Sequence, residues 1–408
     1  MSKYYNIDDL RLLAKKRVPR AVFDYADGAA EDESTKENNR DAFKKWKFIP
    51  DVLIDVSEVE TQTKVLGTEM PYPFALGPTA ISYLFHHEGE PAVARAASKR
   101  NFPSTLSSIA STNIEDYANS SNGPVWFQMY VWKNREISYD FIKRCKESNY
   151  KAIMLTVDVP VGGKRERDLR SGMTVPPKLT IASIIDAAFH PSWWWNFIFG
   201  PKIAFANVKE RFTGKKQKLS NIMTYMNQQF DPSVTWKEAK EIARLWGGPF
   251  AIKGLMSPDD AEKAIEIGAS AIVISNHGGR QLDSAAAPID VLPEIVKRVD
   301  GRADILIDGG IRRGSDIVKA IALGANACLI GRPWVYGLAA KGEKGVDTVI
   351  DVLASEVKRT LQLLGCKSIK DVNRRHIRLN KSFFENSDKI CIKKKLITMS
   401  KMLIMNLT

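Results

Sequence analysis

The chain has 408 residues, of which 44% are hydrophobic, and its formal net charge is +13 at pH 7. That length and composition predict a globular chain with a large core, built as one big α/β domain or as two domains. The charge predicts attraction to anionic surfaces or ligands. Nucleic-acid binding is not predicted, because the sequence has no zinc-finger spacing, RNP-type aromatic motif or basic helix with heptads.

The four cysteines are scattered without CxxC spacing, at Cys145, Cys328, Cys366 and Cys391. Such spacing favours free thiols in a reducing cytoplasm over a disulfide framework, and no metal site is predicted. The first ten residues are polar, so no secretory signal is expected. No apolar run is long enough to span a bilayer.

Along the chain, a helix is predicted from Asp8 onwards, since two acidic residues precede apolar residues at helical spacing. From Pro73, short segments rich in β-formers alternate with helical stretches such as 90–100, 138–148, 258–267 and 316–323. The predicted strands lie in the segments 73–80, 103–108, 125–130, 152–158, 250–254, 271–277, 304–310 and 327–333. Eight strands separated by helices predict an α/β fold, a parallel (β/α)8 TIM barrel preceded by an N-terminal helical segment.

A doubly wound sheet is the alternative fold, but no GxGxxG opens the first strand–helix turn. Polar residues also collect at the carboxyl ends of the predicted strands. They are Thr79, Ser107, Gln128, Tyr130, Thr156, Asp158, Lys253, Ser275, His277, Asp308 and Arg332. In a barrel those ends converge on one mouth, where active sites lie.

The segment 275–283 places His277 and Arg280 three residues apart in a glycine-rich turn after a buried strand. Histidine moves protons near neutral pH, and arginine offers a flat fork of donors that fits a carboxylate. The pair indicates chemistry at the carbon next to a carboxylate. The alternative is a surface loop that happens to hold both residues.

Glycines and arginines follow the last two predicted strands, in the segments 308–314 and 331–333. Glycine lets backbone N–H groups approach an anion closely, and the loops after strands seven and eight are the usual phosphate site of a barrel. Tight turns alone would explain the glycines but not Arg312, Arg313 and Arg332. The pattern therefore predicts phosphate binding.

Several motifs occur in a fixed order, in the segments 23–25, 127–130, 155–158, 275–283 and 308–314. Together they resemble the FMN-dependent 2-hydroxy-acid oxidising family, which includes glycolate oxidase, lactate oxidase, mandelate dehydrogenase and bacterial L-lactate dehydrogenase. The resemblance runs from about residue 7 to about residue 377. It implies an FMN-binding barrel over residues 1–378.

The resemblance also implies roles for individual residues. His277 resembles the active-site base, and Asp158 resembles the carboxylate that orients it. Arg280 and Tyr25 resemble the pair that holds the substrate carboxylate, with Arg165 as a second arginine. Two mechanisms stay open: His277 removes the α-proton of the substrate, or it removes the hydroxyl proton while a hydride passes to the flavin.

Tyr130 resembles the phenol that contacts the substrate oxygen, and Lys253 resembles the cation beside the flavin. Other polar groups resemble flavin contacts, namely Thr79, Ser107, Gln128, Thr156 and Ser275. The family residues that bind the ribityl chain and phosphate of FMN are resembled here by five residues: they are Asp308, Gly310, Arg312, Gly331 and Arg332. The cofactor carries the redox chemistry, while the protein orients it and tunes its charge.

Ile109 stands where glycolate-oxidising relatives have a tryptophan. A smaller aliphatic residue leaves more room over the substrate side chain, so a substrate with a methyl or larger group is favoured over glycolate. The resemblance to bacterial L-lactate dehydrogenases implies L-lactate as that substrate. An oxidase that reduces O₂ to H₂O₂ and a non-catalytic barrel that binds flavin or a phosphate ligand are the alternatives.

The insertion after the fourth strand is long, spanning residues 169–246. It combines the aromatic segment 190–199 with the lysine-rich segment 209–218, which suits an anionic membrane surface. The re-entry at 230–236 resembles relatives that sit on a membrane and pass electrons to quinone. The alternative is that these aromatic residues pack on the barrel or close a lid.

Residues 379–408 match nothing in the family and form a basic tail. They could make a short amphipathic helix on anionic lipid or a frayed terminus. The resemblance further implies a homo-oligomer, often a tetramer. The predicted location is the cytoplasm, with peripheral binding to the inner face of the membrane.

Overall fold

The computed structural model describes residues 4–173, 181–201, 205–208 and 228–380. Its centre is a closed barrel of eight parallel strands. They are β1 (Phe74–Leu76), β2 (Ser104–Ser107), β3 (Val125–Met129), β4 (Ala152–Thr156), β5 (Phe250–Leu255), β6 (Ala271–Ile274), β7 (Asp304–Ile307) and β8 (Ala327–Ile330). Pairing of Cys328 with Phe74 joins β8 to β1 and closes the ring. The predicted TIM barrel is confirmed.

The barrel strands separate two apolar cores, because successive side chains point to opposite faces of a strand. Met154 and Val273 belong to the cluster inside the barrel, whereas Ile153 and Ile272 belong to the cluster between strands and helices. A hairpin of Thr63–Val65 and Thr68–Met70 packs on the inner cluster. Its Leu66 N–H donates to Asp304 at the start of β7, so the hairpin closes the amino end of the barrel.

Helices surround the barrel and precede it. In chain order they are α1 (Ile7–Arg17), α2 (Arg20–Asp27), α3 (Ser34–Lys45), α4 (Gly89–Ser98), α5 (Ile114–Asn119), α6 (Arg135–Glu147), α7 (Glu166–Ser171), α8 (Ile181–Ala188), α9 (Pro191–Phe199), α10 (Trp236–Trp246), α11 (Pro258–Glu266), α12 (Pro288–Val299), α13 (Gly314–Ala322), α14 (Arg332–Lys341) and α15 (Glu343–Leu364). The predicted N-terminal helical segment corresponds to α1, whose first turn is capped by Asn6.

The insertion after β4 contributes α7, α8 and α9 before the chain returns through α10 to β5. The lysine-rich segment 209–218 lies outside the described residues, and so does the tail from residue 381. In the part of the chain that is described, no helix combines the length and the apolar character that crossing a bilayer requires. A short strand, Ile377–Leu379, pairs with Trp46–Phe48 just before the described residues end.

Candidate active site

A cavity of about 300 Å³ opens at the carboxyl ends of the barrel strands. It receives at least one predicted site residue from the end of every strand. The predicted residues that line it are Tyr25, Thr79, Ser107, Gln128, Tyr130, Thr156, Arg165, Lys253, His277, Arg280, Asp308, Gly310, Arg312, Gly331 and Arg332. Asp158 and Ser275 stand behind this wall and hold the side chains of His277 and Lys253.

His277 is fixed from two sides. Its Nδ1 lies 2.9 Å from Oδ1 of Asp158, and its backbone N–H donates to Oγ of Ser275 over 3.0 Å. The approach of Asp158 depends on Gly254, since a Cβ there would lie 2.7 Å from the Asp158 side chain. Burial acts to raise the pKa of Asp158, but the charges of His277 and Lys253 outweigh it and lower that pKa.

Lys253 is buried, and its ammonium bridges two groups. Nζ lies 2.8 Å from Oδ2 of Asp308 and donates to Oγ of Ser275 over 2.9 Å. Burial acts to lower the pKa of Lys253, but the carboxylates of Asp308 and Asp158 outweigh it and raise that pKa. The side chain therefore holds a fixed positive charge in the cavity.

A line of polar side chains crosses the cavity from β2 to β4. Oγ of Ser107 donates to Oε1 of Gln128 over 2.8 Å, and Nε2 of Gln128 donates to Oγ1 of Thr156 over 2.9 Å. These bonds orient the amide of Gln128, because its oxygen accepts from one side and its nitrogen donates to the other. The row offers a polar edge to a ligand.

Arg280 and Arg332 tie the glycine-rich turn to the end of α2. Nη1 of Arg280 donates to the carbonyl of Tyr25 over 2.7 Å, and Nη2 of Arg332 donates to that of Gly28 over 2.7 Å. Nη1 of Arg332 also donates to Gly278 over 2.8 Å. Burial lowers the pKa of Arg280 and lowers that of Arg332 to about 10. Both guanidiniums would gain from an anion.

Two phenols complete the end of the cavity near Arg280. The guanidinium of Arg280 lies 5.0 Å from the centre of the Tyr25 ring. Tyr130 is buried against Phe230, with ring centres 5.3 Å apart. Burial raises the pKa of Tyr130, so the phenol keeps its proton and acts as a hydrogen-bond donor.

Asp168 also lines the cavity and was missed in the sequence analysis. Its Oδ2 accepts from Nε of Arg165 over 3.0 Å, and its Oδ1 is buried without a partner in the described structure. Burial raises the pKa of Asp168. The spacing could have indicated the pair, because Asp168 in the first turn of α7 follows Arg165, the N-cap residue of this helix, by three positions.

The cavity has unpaired polar and cationic groups that a bound FMN would satisfy. In the described part of the chain, five buried polar atoms beside or behind its wall lack hydrogen-bond partners, namely Thr79 Oγ1, Asp158 Oδ2, Asp168 Oδ1, Asp308 Oδ1 and Arg312 Nε. Within the same residues, the guanidinium groups of Arg280, Arg312 and Arg332 form no ion pair with a carboxylate. Buried polar groups are normally paired, so this arrangement fits a large ligand with hydroxyls and a phosphate.

Close packing of the backbone shapes the phosphate end. Gly310 has φ +86°, and a Cβ there would lie 2.0 Å from the carbonyl oxygen of Asn39. Only glycine fits such a position. Nη1 of Arg312 donates to the carbonyl of Ile311 over 2.8 Å, while its guanidinium lies over Tyr336. The loop that precedes α13 and residues of α14 therefore surround the place predicted for the phosphate.

Comparison with known proteins agrees with this geometry. Residues 14–379 match the family described as FMN-dependent dehydrogenase. A putative L-lactate dehydrogenase of Mycobacterium tuberculosis is 42% identical over 91% of this chain and 88% of its own length. The (S)-mandelate dehydrogenase of Pseudomonas putida is 40% identical over 90% of this chain and 92% of its own. A crystal structure of the monotopic membrane protein (S)-mandelate dehydrogenase superposes with a TM-score of 0.89 at 39% identity, covering 93% of this chain and all of the other.

Proposed function

The chain belongs to the FMN-dependent dehydrogenase family, and from this premise we propose that it oxidises L-lactate to pyruvate at a membrane surface. Membership itself makes the protein an enzyme that oxidises a 2-hydroxy acid with FMN, so the resemblance seen in the motifs is confirmed. L-Lactate, the membrane, the acceptor and the residue roles are the proposal. Assembly into a homo-oligomer also stays a prediction.

The observation that carries the proposal is the pairing of His277 with Asp158 in the same cavity as Arg280. Arg280 and Tyr25 bind the substrate carboxylate, and Arg165 adds a second guanidinium. Nδ1 of His277 faces Asp158, so Nε2 is the nitrogen that accepts a proton from the carbinol. Asp158 stabilises the imidazolium that results.

FMN, when bound, accepts the two electrons that leave the carbinol carbon. Lys253 supports this step, because its ammonium is held in the cavity by Asp308 and attracts negative charge. The phenol O–H of Tyr130 would donate a hydrogen bond to the substrate oxygen and stabilise the negative charge that develops there. Tyr130, Lys253 and His277 lie at the carboxyl ends of β3, β5 and β6, so the barrel holds these three side chains in a fixed relation.

The apolar part of the wall supports a substrate with an aliphatic or larger side chain. It is made of Ile81, Ile109, Val159, Met173, Phe205 and Phe230. A hydrogen in place of the methyl group, as in glycolate, would leave this surface without contacts. One methylene is worth about 1–3 kcal/mol of discrimination, which ranks lactate above glycolate and leaves larger acids as competitors.

Membrane contact is supported by α8 and α9. Trp193 anchors α9 to the barrel, since its indole N–H donates to the carbonyl of Leu84 over 2.8 Å. Away from this bond, the two helices and the link between them expose large apolar side chains: Ile181, Ile184, Ile185, Phe189, Trp195, Ile198 and Phe199. An exposed apolar surface of this kind marks a membrane or protein contact. It would bring a quinone acceptor near the mouth of the barrel.

The visible spectrum of the purified protein, recorded without oxygen, tests the proposal. L-Lactate should bleach the flavin bands, whereas D-lactate should leave them unchanged. If L-lactate left the flavin oxidised and another L-2-hydroxy acid bleached it, the assignment of L-lactate as the substrate would be overturned. Readmitted air separates the acceptors, because rapid return of the colour indicates an oxidase and slow return supports a dehydrogenase. The variant His277→Asn is the control, since it should bind FMN and fail to bleach.

A further inference from the structure

Ile81 has a backbone conformation that β-branched residues rarely adopt. Its φ is 47° and its ψ is 54°, in the left-handed region. The clash of Cβ with the following carbonyl makes this region unfavourable for isoleucine. The side chain is nevertheless buried and lines the cavity of the active site. Strain of this kind persists only where the surrounding structure imposes it.

The carboxylate of Glu90, near the start of α4, is bonded to the peptide that follows Ile81. Its Oε1 accepts from the backbone N–H of Ser82 over 2.8 Å and from that of Ser111 over 2.9 Å. Its Oε2 accepts from Oγ1 of Thr112 over 3.0 Å. The N–H of Ser82 directly follows the strained residue, so this bond pulls on the peptide after Ile81. Hydrogen bonds to an ionised group are the stronger kind.

Glu90 joins two loops, the one after β1 and the one after β2. The first carries Ile81 and the second carries Ile109, and both isoleucines line the cavity. Glu90 itself is 3% exposed and does not line the cavity. Within the described residues no lysine, arginine or histidine forms an ion pair with it. A buried carboxylate held only by hydrogen bonds is costly, so its three bonds to these loops are the evident reason for its presence.

We propose that Glu90 is a positioning residue that fixes the spacing of Ile81 and Ile109 and thereby sets which substrate side chain is accepted. The two isoleucines form opposite walls of an apolar pocket for the substrate side chain, and the Glu90 carboxylate fixes the two loops that carry them. This inference rests on the 2-hydroxy-acid oxidation of the family, and it does not depend on L-lactate being the preferred acid. Glu90 touches neither substrate nor FMN in this assignment.

The test compares kcat/KM for L-lactate, L-2-hydroxyisocaproate and (S)-mandelate in the FMN-loaded enzyme and in Glu90→Gln. Glutamine keeps the shape but is neutral and has only one acceptor oxygen, so the bonds from Ser82 and Ser111 weaken and the bond from Thr112 must reverse or break. We expect FMN to stay bound and the preference between the small and large acids to change by at least about fivefold. The change should fall mainly on KM, because the proton-transfer residues are untouched. The variant Glu343→Gln is the control, since its carboxylate pairs with Arg95 away from the cavity.

A double-mutant cycle with Ile81→Gly separates positioning from mere folding. Glycine adopts the left-handed conformation without strain, so the loop no longer needs Glu90 to hold it there. On top of Ile81→Gly, Glu90→Gln should then change the substrate preference less than it does in wild type, because only Ile109 remains to be displaced. Additive effects would overturn the proposal.

The proposal would also be overturned if Glu90→Gln lowered the melting temperature while the preference stayed within about twofold of wild type. If Glu90→Gln fails to fold, Thr112→Val removes one donor to the carboxylate and serves the same comparison. If L-lactate is not a substrate, its kcat/KM would be low in every variant, which is a separate result. The ratio of kcat/KM for L-2-hydroxyisocaproate to that for (S)-mandelate would then test the role of Glu90.

Discussion

Oδ1 of Asp158 lies 2.9 Å from Nδ1 of His277, although 119 positions separate the two residues in the chain. The contact joins the loop after β4 to the turn after β6. It selects the ring nitrogen that faces the carboxylate and leaves the other for the substrate. Burial acts to raise the pKa of Asp158, but the nearby His277 and Lys253 lower it and so favour the charged carboxylate.

Replacing Asp158 by asparagine should slow reduction of the flavin by L-lactate on the order of 100-fold or more. The amide keeps the size of the side chain but cannot balance the charge of a protonated His277. Stopped-flow absorbance without oxygen measures the rate. FMN content, read from the spectrum, should match wild type. A rate within about tenfold of wild type would mean that Asp158 does not support the base.

Replacing Lys253 by methionine should weaken FMN binding and slow flavin reduction on the order of 100-fold. The change removes the charge that faces Asp308 over 2.8 Å and leaves that carboxylate buried without its cation. Fluorescence of released FMN measures the affinity, and stopped-flow absorbance measures the rate. Lys263→Met is the matched control, because Lys263 pairs with Asp260 at the surface. An unchanged rate would remove Lys253 from the redox site.

The barrel could be predicted because each strand is a short apolar run that ends in polar residues. A strand that is buried on both faces does not alternate between apolar and polar residues, as a half-exposed strand does. It is a continuous apolar run such as Ala271–Ile274. The site could be predicted because its motifs are local: His277 and Arg280 lie in one turn. In a barrel, the ends of all strands meet, so the polar residues that follow them had to converge.

Contacts between distant segments could not be predicted, since nothing in the local pattern encodes them. Asn39 and Asn276 exchange two hydrogen bonds of 2.8 Å across 237 positions. This amide pair fixes α3 against the turn of His277, yet neither asparagine stands out in its own segment. The strained Ile81 is a second case, because isoleucine favours an extended backbone. Its conformation accompanies a contact between two loops, since Glu90 on α4 accepts from Ser82 in one loop and from Ser111 in the other.

Asp283 should stabilise the enzyme above about pH 4 and lose that contribution in stronger acid. Its Oδ1 accepts from the backbone N–H of Thr35 over 2.7 Å and from Oγ of Ser34 over 3.0 Å, which caps α3. Burial acts to raise the pKa of Asp283, but these bonds outweigh it and lower the pKa to about 2. A carboxyl with a depressed pKa stabilises the fold above its unfolded pKa, and the effect fades as pH falls through the folded value.

The variant Asp283→Asn should therefore lower the free energy of unfolding by about 1–2 kcal/mol near neutral pH. The gap from wild type should shrink as pH falls from about 4 towards 2. Urea unfolding at several pH values, followed by circular dichroism, measures the gap. A gap that stays constant through this range would show that the cap does not depend on the charge of Asp283.

The exposed side chains of α8, α9 and the link between them should hold the enzyme on anionic vesicles. Phe189, Ile198 and Phe199 expose 80%, 59% and 67% of their surface. Serine at all three positions removes apolar area that would enter the lipid interface, so binding should fall at least about tenfold. Co-sedimentation with vesicles of mixed neutral and anionic lipid measures it, and raised salt should weaken binding further if the net charge of +13 contributes.

A second triple variant decides whether this loss is specific. Val52, Leu53 and Ile54 are also exposed, on a loop that follows the strand Trp46–Phe48. Serine at those positions removes similar apolar area and should leave sedimentation with vesicles unchanged, because they belong to another surface. Equal losses in both variants would mean that vesicles bind any exposed apolar patch. Unchanged binding in the α8 and α9 variant would mean that these helices are not the membrane contact.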